Sequence, residues 1–253
     1  DNVVVRSWGG ATQFKFKPKD HIDLATGLDL IDIERAARTS GARFYYLKGD
    51  LVRLNYALIR YGLDFMAKRG FVPFQPPYMM KKEVISGAVA LSDFEDTIYK
   101  IEGEDLFLLA TAEHALLGLH AGEILDGKSL PLRYCGISPC FRKEAGAHGR
   151  DTKGIFRVHQ FEKVEQFVFC RPEEAPKEHE LLSRNAEEFF QSIGIPYHIV
   201  NVCTGDLGTV AAKKYDLEAW LPGQEKYREE VSCSNCTAYQ SVRSNVRFRD
   251  RPN

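Results

Sequence analysis

The chain has 253 residues, a formal net charge of −1, and hydrophobic and charged shares of 44% and 27%. Those shares are ordinary for a water-soluble globular protein, the length permits a sizeable core, and the charge balance excludes a protein that coats nucleic acid by bulk attraction. No apolar run approaches the length of a bilayer, DNVVVRSWGG lacks signal-peptide character, and six cysteines without such a signal suggest free thiols in the cytoplasm.

No repeat, low-complexity stretch or linker interrupts the chain, which reads as one domain. Residues 10 to 48 form an irregular lead-in, with a short amphipathic helix in DLIDIERAARTSG (29 to 41) stopped at Gly41. A long helix is expected from about Asp50 to Arg69, capped by Asp50 and ended by Gly70. Leu51, Leu54, Leu58, Tyr61 and Phe65 form one apolar stripe on it, and Val52, Tyr56, Ile59, Leu63 and Met66 a second. Two stripes suit either burial on two sides or a partner surface.

FVPFQPPYMM reads as an extended edge segment, because its prolines cannot serve a central ladder. TAEHALLGLHAGEIL (111 to 125) reads as a helix capped by Thr111. LPLRYCGISPCFRKEA and IFRVHQFEKVEQFVFC read as strands joined by a loop near 145 to 155, and a second long helix spans roughly 173 to 193, closed by Gly194. YHIVNVC, DLEAWL, EEVSCS and NVRFRD follow as short strands. Neighbouring strands without a crossover helix imply antiparallel pairing and an α+β fold, not a doubly wound parallel sheet.

Side chains alternate along a strand, so Arg142 and Glu144 are expected on one face. On the next strand Arg157, His159, Phe161, Lys163, Glu165 and Phe167 share a face, with Val158, Val164 and Val168 behind. Cations and carboxylates packed around aromatic rings are costly to bury without a purpose. An arginine fork matches phosphate or carboxylate oxygens, a ring stacks a base, and a carboxylate accepts from an amino group. The pattern describes either a pocket for a nucleotide and a small amino compound or a solvated ladder of ion pairs.

GFVPFQPP after a long helix, then the F-R-x-E strand, loop and second strand, resemble motifs 1 and 2 of the class II aminoacyl-tRNA synthetases. ERAARTSGARFYYLKGDL, TAEHALL, LPLRYCGISPCFRKEAG, RVHQFEKVEQ, TGDLG and REEVSCSNC are together similar to the seryl-tRNA synthetase family in its standard, zinc-independent form. The resemblance implies an antiparallel sheet flanked by helices and a serine–tRNA ligase activity. Serine and ATP would give seryl-adenylate, which then passes its seryl group to the acceptor end of tRNA(Ser).

It also implies residue roles. Thr111, Ala112 and Glu113 receive the serine amino group, and a helix N-terminus helps keep Glu113 ionised. Arg142 bridges the serine carboxylate and the α-phosphate, so Arg142 and Glu144 are the catalytic candidates. Glu144 meets the adenine amino group, Phe161 stacks under adenine, Val158 lies near it, and Glu165 reads the serine hydroxyl. Glu229 and Ser232, within Glu229, Glu230, Val231 and Ser232, hold Mg²⁺ and nucleotide; Lys143 belongs to the ATP set. The loop with Lys143, Arg150 and Lys153 faces the tRNA end, and His159 is a structural hydrogen-bonder. No zinc is expected, since Cys233 and Cys236 have no well-spaced second pair in Cys135 and Cys140.

The helix at 50 to 69 and the Pro77 segment correspond to the motif 1 homodimer contact. Residues 1–253 would then be the catalytic domain, without the family's coiled-coil arm and motif 3. The alternative is an inactive synthetase-like binding or regulatory domain.

Overall fold

A computed structural model describes residues 1–90, 97–144, 151 and 154–250. In chain order come β1 (Val3–Trp8), α1 (His21–Gly27), β2 (Ile31–Asp32), α2 (Ile33–Ser40), β3 (Tyr46–Leu47) and α3 (Asp50–Ala67). The middle holds β4 (Val72–Phe74), β5 (Met79–Met80), α4 (Lys82–Ala88), β6 (Phe107–Leu108), α5 (Ala112–Gly118), β7 (Ile124–Asp126), β8 (Leu132–Phe141) and β9 (Gln160–Phe169). The last part holds α6 (Ala175–Ser192), β10 (Tyr197–Asn201), β11 (Lys213–Leu221), β12 (Lys226–Asn235), α7 (Tyr239–Arg243) and β13 (Arg247–Arg249).

The fold is α+β. One sheet runs β1-β10-β11-β12, antiparallel throughout. The other runs β4-β8-β9, with β8 and β9 antiparallel and the edge strand β4 parallel to β8. Pro73 lies on that edge strand, where its missing N–H breaks no central ladder.

Helix α6 holds the two sheets together. Ala186 and Phe190 pack on Tyr197, Ile199, Leu217 and Ala219, while Leu182 and Phe189 pack with Val164 and Val168 of β9 and with Phe65 of α3. The inward valines of β9 thus form the core face that alternation predicts. Arg133 of β8 meets the buried Glu178 of α6 through two hydrogen bonds of 2.6 and 2.8 Å, and Gln166 of β9 donates to the Leu182 carbonyl at 3.2 Å.

Three boundaries differ from the sequence reading. Asp50 does not cap α3: Gly49 holds the N-cap position and no side-chain cap bond forms. Helix α5 stops at Gly118, which lies against Val84, and Ile124 and Leu125 belong to β7 instead. The lead-in contains the additional helix α1, capped by Asp20 through the Ile22 N–H. The expected stops at Gly41 and Gly194 do carry left-handed backbone, with φ of 101° and 73°.

The β-strand reading of the basic stretch is also corrected at its ends. The β8–β9 ladder closes at Phe141 and Gln160, so Arg142, Glu144, Arg157, Val158 and His159 lie beyond it. Glu144 is in the left-handed region, with φ of 53°. Their proximity comes from loop contacts and not from pleating. Residues 145–150 and 152–153, including Arg150 and Lys153, lie outside the described residues.

Candidate active site

A cleft of about 2140 Å³ opens between β9 and β12. Consecutive residues line it, from Phe161 to Arg171 on one wall and from Tyr227 to Ala238 on the other. A strand face would contribute alternate residues only. Consecutive lining marks two strand edges, and among the described residues β9 pairs only with β8 and β12 only with β11.

On the β9 wall, Gly136 of β8 stands opposite Glu165. A Cβ at Gly136 would lie 2.7 Å from Ala112 Cβ and 3.0 Å from Leu116, so only glycine lets α5 descend onto this point. The descent brings Thr111, which caps α5 through the Glu113 N–H, within 3.2 Å of Glu165, its hydroxyl donating to the carboxylate. Lys163 pairs with the same Glu165 oxygen at 2.6 Å. Glu113 enters the cleft from the first turn of α5 and accepts a 2.6 Å hydrogen bond from Gln240. Burial raises the Glu113 pKa and the Glu165 charge adds to this, while Lys163, Gln240 and Arg142 oppose it.

Arg142 closes this wall. Its backbone is clamped by His159, whose carbonyl accepts from the Arg142 N–H at 2.9 Å and whose Nδ1 donates to the Arg142 carbonyl at 2.8 Å. His159 thus acts on Arg142 through its backbone. The guanidinium lies 5.1 Å from the Phe161 ring centre and donates to the Ala110 carbonyl at 3.3 Å. Glu144 pairs with Arg157 at 2.6 Å, and Val158 is buried on the cleft lining. The Lys143 backbone N–H is bound to the Thr97 carbonyl at 2.9 Å. Two carboxylates and two cations, Glu113, Glu165, Lys163 and Arg142, therefore converge as a charge-balanced set.

On the β12 wall the register places Ser232 opposite Asp216 and Glu229 opposite Glu218, with a bulge that leaves Glu230 as the extra residue. Val231 packs toward the α6 core and also lines the cleft, together with Glu229, Glu230 and Ser232. Ser232 is hydrogen-bonded to Asp216, whose Oδ1 is buried without a hydrogen-bond partner. Desolvation by the surrounding cleft raises the Glu229 pKa, helped by the Asp216 charge, and pushes Glu230 up to about 7, although both side chains keep solvent-exposed surface.

Residues 96–253 match the tRNA synthetase class II core domain (G, H, P, S and T) family. The chain belongs to that family. Serine--tRNA ligase of Nitrosopumilus maritimus (strain SCM1) is 57% identical over 252 residues, which cover 100% of this chain and 60% of that protein. The crystal structure of seryl-tRNA synthetase from Pyrococcus horikoshii complexed with ATP superposes with a TM-score of 0.98 at 57% identity, covering 99% of this chain and 61% of that one. Cytoplasmic serine-tRNA ligase from Naegleria fowleri in complex with AMP gives 0.95 at 45% identity, covering 99% and 60%. This synthetase core thus spans about 60% of the length of those relatives.

Within the synthetase core, the structure gathers Thr111, Glu113, Arg142, Glu144, Phe161 and Glu165 on one wall and Glu229, Glu230 and Ser232 on the other. Ala112 is fully buried behind the first wall and holds α5 against Gly136. The site list read from sequence lacks Lys163, Gln240 and Asp216. The alternation that marked Glu165 also marks Lys163, and the cross-strand register marks Asp216. Gln240 carries no local signal.

Proposed function

We propose that this chain is the catalytic core of a serine–tRNA ligase. The observation that carries this reading is the charge-balanced set Glu113, Glu165, Lys163 and Arg142 beside Phe161 and Glu144. Two anions and two cations suit a zwitterion: Glu113 meets the ammonium, Arg142 the carboxylate, and Glu165 accepts from the hydroxyl. A glycine or alanine ligand would forgo the hydrogen bond at Glu165 Oε1, since Lys163 and Thr111 both engage Oε2, a form of polar discrimination that can reach about 10⁴-fold. Phe161 offers a ring face to adenine, and Glu144 a carboxylate oxygen to its amino group.

In the first step a serine carboxylate oxygen attacks the α-phosphorus of ATP, a C–O–P bond forms, and the bond to the leaving pyrophosphate breaks. The nucleophile is already ionised, so the step needs positioning and charge neutralisation more than a general base. Arg142, fixed by His159, supplies both. In the second step the terminal ribose hydroxyl of tRNA(Ser) attacks the seryl carbonyl and AMP leaves.

Glu229 and Ser232 suit Mg²⁺, because the donor set is oxygen only and Ser232 is backed by Asp216, whose buried Oδ1 has no hydrogen-bond partner. Among the described residues no three His, Cys, Asp or Glu side chains form a metal cage, but Mg²⁺ is commonly held by one or two carboxylates plus phosphate oxygens. When bound, it would neutralise phosphate charge.

A homodimer through α3 accounts for Leu54, Tyr56, Leu58 and Tyr61, which are 53%, 67%, 43% and 40% exposed. A light-scattering mass of one chain would sink this part of the reading. No helix among the described residues is long and apolar enough to cross a membrane. Six free thiols suit the cytoplasm, which cell fractionation tests.

The deciding experiment is ATP–pyrophosphate exchange with this chain. Serine should support exchange, whereas alanine and threonine should not. Exchange that is absent with serine while ATP still binds would favour an inactive binding domain.

A further inference from the structure

We propose that Gln240 is the positioning residue of the amino-acid pocket, holding Glu113 ionised and oriented toward the incoming ammonium; this rests on Glu113 being the ammonium site. Gln240 stands on α7, just beyond the Glu229–Ser232 wall, and is only 7% exposed. Its Nε2 donates to Glu113 at 2.6 Å and to the Ala88 carbonyl of α4 at 3.4 Å. Both amide protons are therefore committed to oxygens. The reversed amide would set its own oxygen against two acceptors, so the orientation is unique.

The groups that face Glu113 explain why a glutamine belongs here. Glu165 and Lys163 face it from β9, Arg142 from the end of β8, and Cys236 from the segment after β12. Among the described residues, Gln240 makes the one hydrogen bond to the Glu113 carboxylate. A lysine or arginine in its place would neutralise Glu113 and compete with the substrate ammonium. A neutral donor steadies the anion and leaves its charge for the ligand, and it engages only Oε1, so Oε2 stays free. Because α7 follows β12 directly, the same contact ties the nucleotide wall to the amino-acid wall.

The test is serine binding by titration calorimetry, with AMP present so that no chemistry follows, at both ends of the pH range in which the chain stays folded. Gln240→Met keeps the side-chain length and removes the donor. It should weaken serine binding at least about tenfold, as expected for a lost hydrogen bond to a charged group. The loss should grow as pH falls, because Glu113 then takes up a proton more readily, and AMP binding should be unchanged. Gln240→Glu should show the opposite slope, recovering serine binding at acid pH where the new carboxyl can donate. Serine binding by the Met variant equal to that of the parent, or a loss that is the same at every pH, would overturn the positioning role. Glu113→Gln separates the two ideas. If it leaves serine binding intact, the ammonium assignment itself fails; if it abolishes binding while the Met variant matches the parent, only the role of Gln240 fails.

Discussion

Around Arg142 and the start of α5 the carboxylates have company: Glu165 meets Thr111 and Lys163, Glu113 meets Gln240, and Glu144 meets Arg157. On the β12 wall Glu229 and Glu230 have no ion-pair or hydrogen-bond partner among the described residues, and both are held above the usual carboxylate range. On the proposed reading, the contrast follows what each wall would bind. A zwitterion needs a preorganised, neutral set of charges, so the protein supplies both signs. A polyphosphate arriving with its cation brings the positive charge itself, so the protein supplies mainly oxygens.

The sharpest way to break this comparison is to unbalance the neutral wall. Glu165→Ala removes the hydroxyl acceptor and leaves Lys163 beside Arg142 with one carboxylate between them. Serine activation should fall about a hundredfold or more, with ATP binding within about twofold of the parent. Equal losses in serine and ATP binding, or no loss, would mean that the two walls are not functionally separate.

A smaller effect is expected from joining the walls. Among the described residues both β9 and β12 present an unpaired edge to the cleft, and the family resemblance implies that motif 3 carries a strand. We expect a longer version of this chain, extended through that strand, to seat it between the two edges. Such a version should activate serine roughly tenfold faster, because the distal phosphates gain a wall, a preorganisation effect. It should also melt higher, since edge N–H and C=O groups become paired. Identical exchange rates and melting temperatures for the two lengths would show that the edges are already complete.

How much of this was legible in the sequence varies along the same strands. Alternation located Phe161, Lys163 and Glu165 correctly, because Gln160–Phe169 is a regular ladder whose other face packs on α3 and α6. The same rule, extended to Arg157 and Arg142, reached the right neighbourhood for the wrong reason. Those residues lie past the ladder, and ion pairing with a left-handed Glu144 and the His159 clamp hold them there. Gly118, the last residue of α5, leaves room for Val84, more than thirty positions away in sequence, a contact that no local pattern marks. Gln240 was illegible for a similar reason: a lone glutamine on a five-residue helix has no period and no spacing, and only tertiary contact with Glu113 and Ala88 gives it meaning. Family resemblance supplied the roles that periodicity could not.

The smallest predicted effect probes the unbalanced wall without any ligand. Glu230 is the bulged residue of β12, and its carboxyl is pushed up to about 7, first by burial and then by the Glu229 charge, with Arg228 opposing. A raised carboxyl pKa means that the folded chain prefers the protonated form. Its contribution to stability is therefore fully present below the ordinary value of 4.5 and is lost as pH rises through about 7. The side chain still opens to water in the cleft, so solvent screening keeps the effect well below the full linkage value, at about 1 kcal/mol or less. Glu230→Gln removes the charge and with it this pH dependence. For a chain of this size the variant should melt about 2 °C above the parent on the alkaline side. On the acid side, where the parent carboxyl is already protonated, the two should melt together. A gain that persists at acid pH would assign it to packing, and no gain at alkaline pH would mean that the β12 wall carries its charges as comfortably as the β9 wall does.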